Sequence, residues 1–359
     1  VAKETSIESA ADGAASTRRG FLEHTLGGAG LGLAALTAGC AASTSQSSAT
    51  VAGGAKPLRA LFSNAGLQST WCALGKQTAE LWGKLLGVEV VWRDGEFDPA
   101  KQRERIDLAL DDNWDFCAFQ AIGLGSLEAP VRRLKERGIP VISMDTLVVP
   151  QPQARDVGVW LQVGPDQVFM GETSTRYLMN KIGGRGRVIH IGGLSAHSGA
   201  QGRQAGFEKV LAEHPDVEVV GGGIRWCDWD KQKARDTFES LLAASDTPIA
   251  GAFFHSDDMA LACVPALKGT PHEKMVVTAV DGQKEGLDGV ADGRLAATTV
   301  NPVCLIHMTA LVLGQFMVRG GEKLDSIPPD IVTPGPLVSR ESGNLDAQRY
   351  LSDPRHCLV

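Results

Sequence analysis

From residue 58 onward, short apolar runs alternate with longer segments whose apolar residues recur every three or four positions. Runs with the first pattern predict strands and segments with the second predict helices. Leu58–Ser63 reads as a strand, Leu74–Leu86 as a helix, Val88–Trp92 as a strand, Lys101–Asp111 as a helix and Phe116–Gln120 as a strand. Leu127–Arg137 is a helix that ends at Gly138, a C-cap signal, and Ile139–Met144 follows as a strand with Pro140 near its start.

The rhythm restarts after about residue 163. A helix over 165–182 leads to strand Arg187–Ile191, helix Gly202–His214, strand Val217–Gly221 and helix Lys231–Ala244. Strand Ile249–Phe254, helix Asp257–Lys268, strand Val276–Val280, a helix near Gln283–Gly293, strand Leu295–Val300 and a long helix over Pro302–Arg319 complete it. Strictly alternating strands and helices predict an α/β fold of two doubly wound parallel-sheet lobes, each sheet covered by helices on both faces. No exact repeat relates the two halves, so the duplication is one of architecture.

In such sheets ligands sit beyond the carboxyl ends of the strands. The polar residues there are Ser63-Asn64, Gln120, Asp145, His255-Ser256-Asp257, Asp281 and Asn301, with Gln68, Trp71 and Trp229 on adjoining segments and Arg203 nearby. The mixture suits a carbohydrate: flat rings for C–H faces, carboxylates to accept from hydroxyls, and arginine and amides to donate. Each residue also has a plainer reading. The tryptophans serve equally as hydrophobic plugs, Asp145 and Asp281 as caps, and Asp257 as a cap or as a group that orients Arg203. Asp258 reads as solvent-facing on its helix, and His190 and His197 as core or loop histidines.

Composition narrows the classes. The 359 residues are 43% hydrophobic and 21% charged, with a net charge of -7, which argues against a nucleic-acid partner. No apolar run reads as a permanent membrane span. Six of the seven cysteines (Cys72, Cys117, Cys227, Cys263, Cys304, Cys357) have no metal-ligand spacing, and Cys117, Cys263 and Cys304 fall in apolar segments that favour buried thiols. Neither a cofactor nor a metal ion is expected. No GxGxxG follows a strand, no phosphate loop and no HExxH occur, and Gly193-Leu194-Ser195-Ala196-His197 departs from a nucleophile elbow at its last position. Absent motifs do not exclude an enzyme, but nothing here supplies a nucleophile with a base, and the expectation is that the chain is not an enzyme.

The first fifty residues carry separate information. Arg18-Arg19 precedes an uncharged Gly/Ala/Leu-rich stretch from Thr25 to Gly39, the layout of a twin-arginine export signal. It ends Leu36-Thr37-Ala38-Gly39-Cys40, which resembles a lipoprotein lipobox and predicts a lipid on Cys40. Residues 41–56 are rich in Ala, Ser, Thr and Gly and read as a flexible tether.

Six landmarks in order connect these residues to a known family: 139–145 (IPVISMD), 163–167 (VGPDQ), 202–207 (GRQAGF), 256–262 (SDDMALA), 279–282 (AVDG) and 295–301 (LAATTVN). Over about 58–338 the chain resembles periplasmic sugar-binding proteins of ABC transporters, of the ribose-binding type. The resemblance implies the type I periplasmic binding protein fold, with a three-segment hinge near Val163-Gly164, Val300-Asn301 and Pro328–Pro334. The halves would be 57–163 plus 302–330 and 164–301 plus 331–359. It implies that Trp71 and Trp229 stack on the ligand, that Asp145 and Asp281 accept from hydroxyls, and that Arg203 and Asn301 donate. Asn64, Gln68, Ser256 and Asp257 complete the expected ligand set.

Departures from the family pattern at Cys72, Thr146, Ser256 and Val280 leave the ligand open among sugars, polyols and cyclitols. The implied protein is an exported, lipid-anchored monomer, periplasmic or otherwise extracytoplasmic, that passes a sugar or polyol to an ABC permease in the membrane. A binding protein feeding a chemoreceptor or sensor kinase is the first alternative. A sugar-modifying enzyme is a second, and a transcription regulator, which the export signal opposes, a third.

Overall fold

The computed structural model describes residues 56–357, so the expected export signal, Cys40 and nearly all of the tether lie outside the described residues. The chain begins with β1 (Leu58–Asn64), α1 (Thr70–Leu86), β2 (Val88–Asp94), α2 (Pro99–Ala109) and β3 (Phe116–Phe119). There follow α3 (Glu128–Glu136), β4 (Val141–Met144), α4 (Ala154–Val157) and β5 (Val159–Pro165). A second series contains α5 (Gln167–Ile182), β6 (Gly186–Gly192), α6 (Ser198–Leu211), β7 (Val217–Val219), β8 (Arg225–Trp226) and α7 (Lys231–Ala243). It continues through β9 (Gly251–Phe254), α8 (Asp257–Cys263), β10 (Val276–Asp281), α9 (Lys284–Asp292) and β11 (Ala297–Val300). The chain ends with α10 (Val303–Gly320), β12 (Asp330–Thr333), β13 (Leu337–Ser339) and α11 (Leu345–Leu351).

These elements build two sheets. The first has the order β12-β5-β4-β3-β1-β2 and the second β13-β11-β10-β9-β6-β7, with β8 also pairing β6. Pairings are parallel except for β13 on β11. Period-two packing explains the apolar runs. In β1, Ala60 and Phe62 face the core under α1 and α10, while Leu61 faces the opposite core with Ile106 of α2 and Val131 of α3. Because both faces are covered, neither set of alternate positions can be polar.

The chain crosses between sheets after β5, after β11 and between β12 and β13. Strand β12 pairs with β5, so residues 331–333 belong to the first sheet and the third crossing is the segment 334–336. The expected boundary at 330/331 is thus displaced by three residues. Strands β5, β12 and β13 and helix α11 have no counterpart in the sequence reading. They are short or flank the crossings, where periodicity has too few positions to register.

One helix bears on the expectation that no apolar run is a permanent membrane span. By length and composition α10 is apolar enough to cross a membrane, with a mean hydropathy of 1.5 over 18 residues. Half of it is buried, and it packs across β3, β4 and β5 and along α1. A helix lying between a sheet and a second helix needs apolar residues on most of its circumference.

Candidate functional site

The carboxyl ends of both sheets open onto one cleft, whose empty space, including the part open to solvent, is about 420 Å³. The first sheet and its loops contribute Ala65, Ser69, Trp71, Cys72, Phe97, Gln120 and Asp145. The second contributes His197, Arg203, Trp229, Ser256, Asp258 and Asp281, and Asn301 on the middle crossing completes the lining.

A hydrogen-bonded chain runs through this lining from one half to the other. Gln120 Nε2 donates to Asp145 Oδ2 at 2.7 Å. Asn301 Nδ2 and Gln167 Nε2 donate to Asp145 Oδ1 at 2.8 Å and 3.0 Å. Gln167 Oε1 in turn accepts from Arg203 Nε at 3.0 Å. Arg203 Nη1 lies 3.0 Å from Asp281 Oδ1 and also donates to the His255 carbonyl. Arg203 is seated by a close helix crossing: a Cβ on Gly171 of α5 would stand 2.2 Å from its carbonyl oxygen. A buried guanidinium held this way can present only its remaining donors to a ligand, in a fixed direction.

Burial dominates the titration of these groups. It pushes Asp281 up to about 7 despite Arg203 beside it, with the charges of Asp145 and Asp258 adding to the rise. It raises Asp145 too, against the pull of Arg203 and the three amides. His197, whose Nδ1 accepts from Ala200 N at the start of α6, is driven down to about 3 by burial and by Arg203. It therefore lines the cleft as a neutral ring. Burial also pushes the Cys72 thiol up to about 12, which removes it as a nucleophile.

Besides His197, three aromatic rings border the space. Trp71 is fixed by its Nε1 donating to Asn301 O at 3.1 Å and by edge contact with His307, centroids 5.4 Å apart. Trp229 lies against Gly193, where a Cβ would approach its indole to 2.2 Å, and Arg203 sits 5.6 Å from its ring centroid. Trp229 Nε1 is buried without a partner. Phe97 comes from the loop after β2 and was not singled out in the sequence.

Among the described residues six non-glycine residues have positive φ, and four of them line the cleft: Phe97 (55°), Asp145 (60°), Trp229 (60°) and Asp281 (119°). Such conformations cost on the order of 1–3 kcal/mol each and persist where the surroundings over-determine them. Their concentration marks this cleft as the strained part of the fold.

The expected residues are sorted by this geometry. Trp71, Asp145, Arg203, Trp229, Ser256, Asp281 and Asn301 line one space. Gln68 is exposed and Asn64 is buried behind the lining with its amide donating to Cys72 O. Asp257 is also buried behind it, accepting from Thr298 Oγ1 at 2.6 Å and from Gln283 N at 3.0 Å. There it fixes the start of α9 and makes no bond to Arg203. Ser256 caps α8 through Met259 N.

Asp258 corrects the solvent-facing expectation. It accepts Thr70 N at 3.0 Å and Thr70 Oγ1 at 2.8 Å, capping α1 from the opposite half of the molecule. Ser69, the cap residue of α1 itself, makes no side-chain cap bond. On the opposite rim, Leu147 N donates to Ser198 Oγ and Leu124 N to Ala196 O. The two halves are therefore joined around the cleft. Among the described residues no cluster of His, Cys, Asp or Glu is placed to hold a metal ion, and the six cysteines are buried free thiols.

This geometry can be set beside known proteins. Residues 60–312 match the periplasmic binding protein domain family. The chain is 22% identical over 290 residues to a xylitol-binding protein of Mycolicibacterium smegmatis, covering 81% of this chain and 80% of that protein. It is 25% identical over 246 residues to the ribose import binding protein RbsB of Haemophilus influenzae, covering 68% and 80%. The crystal structure of a Caulobacter myo-inositol binding protein bound to myo-inositol superposes with a TM-score of 0.73 at 21% identity, over 83% of this chain and 98% of that one. The fold is that of type I periplasmic binding proteins, two parallel-sheet α/β lobes. With most of the chain matched and both sheets in place, this protein belongs to the periplasmic binding protein domain family.

Proposed function

We propose that the protein captures a sugar or sugar-like polyol in the cleft between its lobes and delivers it to an ABC importer. The observation that carries this reading is one cavity, lined from both sheets, in which Trp71, Trp229 and Phe97 surround Asp145, Arg203, Asp281 and Asn301. Rings suit the C–H faces of a polyol, and the fixed carboxylates and amides suit its hydroxyls. Relatives that bind xylitol and ribose by name support the same ligand class.

Binding in a cleft with contacts to both halves favours the closed form by as much as the ligand prefers it over the open one. A permease that engages only the closed form would then receive loaded protein. Each ligand hydroxyl held by a charged side chain should contribute about 1.5–3 kcal/mol. Nothing in the lining couples a nucleophile to a base, and the neutral His197 is occupied as a helix cap. We therefore place the protein among binders and not among enzymes.

Calorimetric titration with xylitol, D-ribose and myo-inositol tests the reading. Stoichiometric binding of at least one, with the ligand recovered unchanged, supports it. Absence of binding to any polyol, or turnover of the bound one, overturns it. The amino-terminal pattern supports twin-arginine export and a lipid on Cys40, and we further propose that the protein acts as a monomer outside the cytoplasm. An unmodified Cys40 in mass spectra from the native host would remove the anchor, and light scattering checks the monomer.

A further inference from the structure

Resting on the polyol reading above, we propose that the cleft selects a polyol carrying an ammonium group over its neutral counterpart and rejects polyol carboxylates. The first argument is charge. Asp145, Asp258 and Asp281 line the cavity against one guanidinium, Arg203, so the formal excess is two negative charges. Arg203 is already committed, with Nη1 at Asp281 and Nε at Gln167. It is not a free counter-ion for an anionic ligand.

The other two carboxylates make no direct ion pair, although the charge of Arg203 reaches Asp145. Asp145 is held by neutral amides alone, and Asp258 by the amide and hydroxyl of Thr70. Dipoles stabilise a buried carboxylate, yet its charge remains, and buried charge is costly unless an opposite charge meets it. Burial raises the titration of Asp145 and Asp281, which expresses that cost.

The second argument is the rest of the lining. The ring faces of Trp71 and Phe97 carry negative quadrupole density, which attracts ammonium, while the Trp229 ring already has Arg203 5.6 Å from its centroid. Asn301 is 3% exposed, and its Oδ1 is an acceptor without a partner. A hydroxyl can satisfy that acceptor, but an ammonium satisfies it and the surplus charge together. An incoming carboxylate would add a third uncompensated charge, against which Trp229 Nε1 and the remaining N–H groups of Arg203 are the free donors.

The test is a set of titrations on the purified full chain with two charge series: xylitol, 1-amino-1-deoxyxylitol and xylonate; and D-glucose, D-glucosamine and D-glucuronate. The expected result, in whichever series binds, is about tenfold tighter binding of the amine than of the neutral compound, with no detectable binding of the carboxylate. D258N, near the cavity rim, and D145N should each shrink the amine-to-neutral ratio several-fold, and thermal melts confirm that the variants are folded. Should neutral and amine compounds bind equally, or the carboxylate bind as well, charge selection is wrong while polyol capture stands. Should every member of both series fail to bind, both readings fall.

Discussion

The two halves of the cleft are built on the same sheet ends but with different chemistry. In the first half a single carboxylate, Asp145, is gripped by the amides of Gln120, Gln167 and Asn301, beside Trp71 and Phe97. In the second half the guanidinium of Arg203 meets Asp281, and the buried His190, His197 and His255 stand near them, all held neutral by burial. One half is a dipolar clamp and the other an ion pair. Damage to the first leaves unpaired amides, whereas damage to the second leaves a bare buried charge, and the latter costs far more.

The largest expected effect is therefore Arg203→Ala, which strands Asp281. Urea unfolding should show a loss of about 3–5 kcal/mol, and polyol affinity should fall at least tenfold. A loss no greater than that of an ordinary surface substitution would mean the ion pair is not formed in solution.

Next comes the pH profile of Asp281→Asn. The folded Asp281 titrates near 7, above the usual carboxylate range, so the folded state holds the proton more tightly than the unfolded state. Its contribution is largest at low pH and is lost as pH rises through about 7. The stability difference between wild type and variant should accordingly drift against the wild type from pH 4 to pH 7. His197, titrating near 3, acts in the opposite sense: its contribution is complete above 6.5 and is lost as pH falls toward 3. A flat difference curve for Asp281→Asn would show that its carboxyl is solvated.

Asp145→Asn keeps the shape but removes the charge that three amides address. The expected cost is about 1.5–3 kcal/mol in ligand affinity, measured by calorimetry, with a smaller effect on melting than Arg203→Ala. Equal melting losses for the two variants would erase the contrast between the halves.

The smallest effect belongs to Asp258→Ala. Removing a helix cap costs about 1 kcal/mol, but this cap is supplied across the cleft and exists only when the halves meet. Affinity should drop about fivefold, and small-angle scattering should show a larger mean radius in the unliganded protein. An unchanged radius with lower melting temperature would make Asp258 a stabiliser of α1 alone.

How much of this was readable in the chain depends on the range of the interaction. The strands from β1 to β4 and the helices from α5 to α10 were visible because burial on both sheet faces imposes apolar periods on contiguous residues. The cleft's Asp145, Asp281 and Asn301 were visible because strand ends are where such sheets put chemistry, whereas Arg203, inside α6, was carried by the family resemblance. Phe97 was missed because it sits in a turn-like stretch between Gly95 and Pro99. His197 was left among loop residues because its capping role needs the start of α6 at Ser198. Asp258 looked like an exposed first-turn acid because its partner Thr70 is 188 residues away.

Sequence alone determined the alternation of elements, the two-sheet architecture and the stock of polar groups at the strand ends, because backbone hydrogen bonding and apolar burial act locally and repeat. Only the tertiary structure decided which of those groups share a space, which ones are strained into positive φ, and that three carboxylates face one guanidinium. Charge balance and strain belong to contacts between distant segments, and no window along the chain contains them.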